Sequence, residues 1–339
     1  MTIELKKTLY FFAAVIFAVF VADRLLAAAL DKLFAQNFSG ETGGVVNQLL
    51  AIDPTPDVLI LGTSRAKYQI APPVAVPHFP NTYNAGVNGR GGLLYQLVLL
   101  DILAQHKKLS PNVIIAFDGN NLLPHPEGKQ TDYINTELLG LSNFYDQSPI
   151  LRRYLAKASP LEPLKFAFRS YRYNGKMLAV IKNYLFAPPL NNNNNSPPAN
   201  NGFEAILPTP RDSLQTIESL KVLEQQGNHI NPTTLNPDYL AIVEETLSFC
   251  KNHRINLIFL EPPSFQNTIY CLNCSHALDS LCRQYQTPFV CYAQNDSLMP
   301  QLHQPGYWHD ATHLNQLGAN IFSEKLAIDI TTMLDIKKQ

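Results

Sequence analysis

Near its end the chain reads Trp308-His309-Asp310-Ala311-Thr312-His313-Leu314-Asn315. An aspartate three residues before a histidine can hold the imidazole in one tautomer and stabilise its protonated form. A general base needs that service when it takes a proton from a serine hydroxyl. His309 is a rival base, but the three-residue spacing and the following Leu314-Asn315 favour His313. A surface histidine beside a helix-capping aspartate has the same spacing, so a nucleophile is needed elsewhere. Ser64 is the best placed, in Asp57-Val58-Leu59-Ile60-Leu61-Gly62-Thr63-Ser64-Arg65-Ala66. A buried strand, a tight turn at Gly62 and a following helix would set its hydroxyl at a helix N-terminus, where unpaired N–H groups favour negative charge. Alone, Ser64 reads first as an ordinary helix cap; its catalytic meaning comes from Asp310 and His313.

Taken in order, these motifs resemble the SGNH (GDSL-like) hydrolase superfamily, and within it the membrane-anchored proteins that acylate, deacylate or acetylate cell-surface polymers. Gly62-Thr63-Ser64-Arg65 resembles a G-x-S-R first block. Asp310-Ala311-Thr312-His313-Leu314-Asn315-Gln316-Leu317-Gly318 resembles the D-x-x-H-L-N-x-x-G ending of relatives of teichoic-acid D-alanylation and polysaccharide O-acetylation proteins. Asn84-Ala85-Gly86-Val87-Asn88-Gly89 is similar to the second block, whose glycine offers a backbone N–H to the oxyanion; Gly86 is the first choice and Gly89 the second. The third block departs from the pattern: after Val113-Ile114-Ile115-Ala116-Phe117 the order is Asp118-Gly119-Asn120-Asn121 instead of G-x-N-D. The oxyanion asparagine falls on Asn120 or Asn121, with Asn120 preferred. By the same resemblance no metal or other cofactor is expected. Arg65 either binds a substrate carboxylate or phosphate or pairs with an acidic neighbour. Trp308, the only tryptophan, either lines the acyl or sugar pocket or packs its loop.

The elements that must position these residues follow from periodicity. Val58 to Leu61 and Val113 to Phe117 are short apolar runs bounded by turn residues, the pattern of strands buried on both faces. Gly91 to Gln105 and Tyr239 to Asn252 read as helices, Asn256 to Leu260 and Pro288 to Tyr292 as further strands, and Gly318 to Met333 as a closing helix. Strands alternating with helices argue for a parallel sheet covered on both faces, whose ligands lie beyond the carboxyl ends of the strands. The expected fold is α/β, a three-layer α/β/α sandwich with a mainly parallel, SGNH hydrolase-like sheet. Residues of about 122–235 form an insertion with a basic, helical part from Leu151 to Phe186. Its Pro188 to Asn201 part, with asparagine at 191–195, buries too little apolar surface to order. The basic side chains Arg152, Arg153, Lys157, Lys165, Arg169, Arg172, Lys176 and Lys182 read as a solvated helix face, with anionic headgroups or a phosphate-bearing polymer as the alternative.

At 339 residues, 46% hydrophobic and 16% charged, the composition is globular, and a formal net charge of −1 gives no electrostatic case for nucleic acid. Lys6-Lys7 precede an apolar, aromatic stretch from Thr8 to Ala22, then Asp23-Arg24 and Leu25 to Leu30. A retained signal anchor is favoured over a peptide cleaved near Ala27-Ala28-Ala29, with residues 1–36 as anchor and juxtamembrane helix, a polar link from Phe38 to Asn47, and 37–339 as the domain. Positive-inside logic leaves the N-terminus in the cytoplasm. Cys250, Cys271, Cys274, Cys282 and Cys291 leave three readings open: a structural disulfide, free buried thiols, or a redox or zinc half-site at Cys271-x-x-Cys274.

The resemblance and the anchor together imply a single-pass protein of the bacterial inner membrane whose domain faces the periplasm or exterior. Its expected activity is acyl esterase or O-acyltransferase on a cell-envelope glycan or polymer. Ser64 would be the nucleophile, His313 the base and Asp310 its orienting partner, with Gly86 and Asn120 as the oxyanion hole. Expected partners are the bilayer, an envelope polysaccharide or acyl donor, and a membrane-bound O-acyltransferase. The opposing expectation is a non-catalytic envelope scaffold that assists such an acyltransferase.

Overall fold

The computed structural model describes residues 3–36, 43–75, 79–89, 92–123, 138–186, 201–225, 234–267, 271–293 and 300–336. The chain opens with α1 (Ile3–Ala35) and α2 (Gly43–Ala51), then alternates β1 (Val58–Gly62), α3 (Ser64–Gln69), β2 (Thr82–Asn84), α4 (Leu93–Gln105) and β3 (Asn112–Ala116). The described residues that follow are helical or irregular, with α5 (Pro149–Ala158), α6 (Met177–Phe186), α7 (Asp212–Gln225) and α8 (Pro237–Asn252) as longer pieces. Then come β4 (Asn256–Glu261), α9 (Leu272–Gln284), β5 (Phe289–Cys291) and α10 (Gln316–Ile336).

The strands form one five-stranded sheet in the order β2-β1-β3-β4-β5, every pair parallel. Side chains alternate across a strand, and the alternation divides the apolar interior in two. Leu59, Leu61, Val113, Ile115, Leu257 and Phe259 enter one core with residues of α2, α4, α8 and α9. Val58, Ile60, Ile114, Ala116, Ile258 and Leu260 enter the other with Ala66 of α3, Leu220 of α7 and Phe322 of α10. A strand with both rows buried must be apolar at every position, and β1 is. Helices on both faces are consistent with a three-layer arrangement.

The polar link expected from Phe38 to Asn47 is partly helical instead, because α2 begins at Gly43 and buries Val46 and Leu49. Tertiary burial overrides two helix-weakening glycines there. The segment Pro188 to Asn201, apart from its last residue, lies outside the described residues. The basic side chains of residues 152–176 are largely neutralised within the fold. Arg153 pairs with Glu245, Lys157 with Asp238, Lys165 with Glu162, and Arg172 with Asp31 and Asp146. Lys176 donates to the carbonyls of Leu139 and Gly140.

With 33 residues, α1 is about 50 Å long, against about 30 Å for a hydrocarbon core, and its best window has a mean hydropathy of 2.2. It is long and apolar enough to cross a membrane. Phe11, Phe12, Ile16 and Phe17 are exposed, whereas Ala27, Leu30 and Phe34 are buried against the domain. Asp23 marks the change, accepting hydrogen bonds from the backbone N–H groups of Arg169 and Ser170 and from Ser170 Oγ.

Cys271 and Cys274 form a disulfide at the start of α9, while Cys250, Cys282 and Cys291 are in no disulfide. Burial pushes the Cys282 thiol up to about 12, so it stays protonated and unreactive at neutral pH. Among the described residues no His, Cys, Asp and Glu group with metal-holding geometry occurs.

Candidate active site

β1 leaves the sheet at Gly62, whose φ of +154° and neighbours exclude any side chain: a Cβ there would lie 2.6 Å from Ala66 Cβ and 2.7 Å from the Ala116 carbonyl oxygen. That close approach lets α3 start two residues later, with Thr63 as its N-cap and Ser64 as its first residue. Ser64 Oγ lies 2.8 Å from His313 Nε2 across 249 positions of sequence. On the far side of the ring, His313 Nδ1 lies 2.9 Å from Asp310 Oδ2 and 3.1 Å from Oδ1. The tautomer that fits both contacts carries its proton on Nδ1, donates it to Asp310, and leaves the Nε2 lone pair to accept from the Ser64 hydroxyl.

Asp310 is held in turn. Its Oδ1 accepts from the backbone N–H of Thr312 at 2.7 Å, from Thr312 Oγ1 at 2.8 Å and from the backbone N–H of His313 at 2.8 Å. Burial alone would raise the pKa of this carboxyl; the contacts from His313 and Thr312 outweigh burial and hold it well below the usual carboxylate range. The group is therefore ionised wherever the imidazole must gain a proton. His309 turns away, with Nδ1 3.6 Å from Asp212 Oδ1 and Nε2 3.3 Å from the side-chain nitrogen of Gln215. It is His313 that reaches Ser64.

The rest of the last motif builds the loop. Leu314 is fully buried and bridges to Trp308, and the Asn315 side chain accepts from the N–H groups of Leu317 and Gly318 at the start of α10. A Cβ on Gly318 would sit 2.2 Å from the Tyr307 carbonyl oxygen, so only glycine lets the helix approach the loop. Gln69, at the end of α3, donates to the Thr312 carbonyl at 2.7 Å and ties the two halves of the site together.

Gly86 sits differently from the sequence expectation, while Arg65 and Trp308 each take the structural one of the two readings open to them. The Gly86 N–H is occupied by Asn84 Oδ1 at 2.9 Å, and a Cβ there would press to 2.5 Å of the Lys67 nitrogen. Its lack of a side chain serves close packing against α3, and its donor is spoken for. Arg65 is 3% exposed and ion-paired to Asp118, with its other guanidinium nitrogen on the Pro262 carbonyl, so it cannot meet a substrate in this arrangement. Trp308 is 1% exposed, edge-on to Phe265, with Nε1 donating to the Leu302 carbonyl at 2.7 Å; it packs its loop. Gly89 has φ +65° and open space around it. Asn120 lies in a 3-10 segment (Gly119–Leu122) beyond β3, and its side chain falls outside the described residues.

Three residues at the site escaped sequence reading. Asp118 accepts from Thr63 Oγ1 at 2.8 Å and from Arg65, gripping the residues on either side of Ser64. Its signal is an acidic residue directly after the apolar run Val113 to Phe117, at the carboxyl end of a strand. Tyr68 stands edge-on to the His313 ring, centroids 5.8 Å apart, and Asn88 donates to its hydroxyl. The signal for Tyr68 is its position four residues after Ser64, which puts both on one helical face. Glu261, at the carboxyl end of β4, is 1% exposed and accepts from Ser275 Oγ and from the Gly119 N–H. Burial raises its pKa against the lowering effect of Ser275 and Arg65.

No protein-family model and no curated protein matches this chain. A solved structure aligns over 81% of this chain and 95% of its own length, at 11% identity and a TM-score of 0.34, a likeness too slight to inform fold or function.

Proposed function

We propose that this chain is a membrane-anchored, SGNH-like serine acyl esterase or O-acyltransferase acting on a cell-envelope glycan or polymer. The observation that carries the reading is the continuous contact Ser64 Oγ–His313 Nε2–His313 Nδ1–Asp310, on one edge of a parallel sheet. Ser64 attacks an acyl carbonyl while His313 takes its proton; the imidazolium so formed is stabilised by Asp310. His313 then returns the proton to the leaving alkoxide, and the acyl group on Ser64 passes to water or to a sugar hydroxyl by the same steps reversed. The N–H of Ser64, first in α3, has no acceptor within its helix and is the donor we assign to the developing oxyanion, with Asn120 as the second. A membrane span beside the domain keeps it near lipid-delivered acyl donors, which favours transfer over hydrolysis.

A scaffold without catalysis is favoured by one observation, the occupied Gly86 N–H. The two readings separate on purified full-length protein treated with a fluorophosphonate probe and an aryl acetate. The catalytic reading expects labelling on Ser64, ester turnover, and loss of both in Ser64→Ala with unchanged thermal unfolding. Folded wild-type protein that neither labels nor turns over ester would leave the scaffold standing.

A further inference from the structure

We infer that Leu161, Leu164, Phe168 and Met177 form a second membrane contact, an apolar face that lies in the interfacial layer of the bilayer α1 crosses. The inference rests on reading α1 as a span.

These four side chains are 59%, 67%, 49% and 40% exposed, in a segment whose charged groups are mostly paired inside the fold. Scattered exposed leucines are ordinary on a soluble surface, but several gathered on one face mark a contact. Their location names the partner. Leu26, the last large exposed apolar residue of α1, lines a cleft of about 810 Å³ together with Leu161, Leu164, Phe168 and Met177. The apolar surface of α1 therefore adjoins that of the domain across this cleft, at Leu26.

The charges at that level are met by protein. Arg24 donates to the Ala167 carbonyl at 3.0 Å and lies 4.1 Å over the Phe20 ring, and Asp23 is enclosed by Arg169 and Ser170. Polar groups satisfied internally are what permit a segment to sit at interfacial depth. Lys165 lines the same cleft, partly exposed and paired to Glu162, at the depth where lipid phosphates would lie beside an interfacial face. A bilayer fits this surface better than a soluble partner, because the span delivers the face to the lipid at no further cost in translational freedom.

The test uses full-length protein in lipid nanodiscs and single tryptophan insertions, Leu164→Trp and Phe168→Trp at the face, Phe12→Trp in the span and Leu214→Trp on exposed α7 as a water reference; buried Trp308 is common to all. With brominated acyl chains in the lipid, Leu164→Trp and Phe168→Trp should emit at shorter wavelength than Leu214→Trp and lose at least about half their added fluorescence, as interfacial residues do. If Phe12→Trp is quenched while both face variants behave like Leu214→Trp, the second contact is refuted and the span survives. If Phe12→Trp is also unquenched, both readings fall.

Discussion

The sheet edge around Ser64 and the surface around Leu26 handle burial in opposite ways. At the sheet edge, charged and polar groups are drawn inside and matched one by one: Arg65 to Asp118, Thr63 to Asp118, His313 to Asp310 and Asp310 to three further donors. At the Leu26 end, the charges are likewise matched, yet leucines and phenylalanines are left uncovered. Geometry fixed by mutual polar partners is what the proposed proton transfer requires, where a displacement of about 1 Å can cost on the order of a hundredfold. Apolar area without a protein neighbour serves contact with something fluid.

The contrast is broken most severely by Asp310→Asn. It should retain the fold but lower the rate of Ser64 labelling by about 10³–10⁴-fold, since the amide no longer stabilises the imidazolium or enforces the useful tautomer. Its stability has a definite sign with pH. The folded-state pKa of Asp310 is depressed, so its contribution is complete above the unfolded value near 3.9 and is lost as pH falls through the lower folded value. Denaturant titrations should show a constant gap between wild type and Asp310→Asn above roughly pH 5 that narrows below about pH 4.

Asp118→Asn acts on the frame of the nucleophile. It leaves buried Arg65 without its counter-charge and should cost about 3 kcal/mol in urea unfolding, with a smaller fall in labelling than Asp310→Asn. A neutral result would mean that Asp118 is a bystander and the site less interlocked than its contacts indicate. The smallest effect sharpens the other side: Leu164→Ser, on the uncovered face, should change unfolding in detergent by no more than about 0.5 kcal/mol, because no protein neighbour loses packing. A loss of several kcal/mol, as for a buried leucine, would show that this face is covered by the protein itself.

Much of the sheet was legible because strands buried on both faces have only one way to look, an unbroken apolar run such as Val58-Leu59-Ile60-Leu61. Helix α2 was hidden because Gly43 and Gly44 speak against a helix locally, and only the cover it gives Val46 and Leu49 overrules them. In the site, Ser64, Asp310 and His313 could be matched by residue type and by the order of their motifs. The direction of a backbone N–H could not: Gly86 has the expected residue type, but its donor faces Asn84. Arg65 and Trp308 were ambiguous for a related reason, since neither composition nor spacing tells whether a large side chain turns outward or is gripped by neighbours far away in sequence, as by Pro262 or Leu302.

Helix α1 gives up its last third to the domain, through Ala27, Leu30, Phe34 and the grip of Arg172 and Tyr173 on Asp31. Such a helix works as a mast stepped into a hull and not as a rope. Set upright in a bilayer, it would fix the height and heading of the Ser64 edge, so that the reachable substrates are those presented at one distance from the membrane.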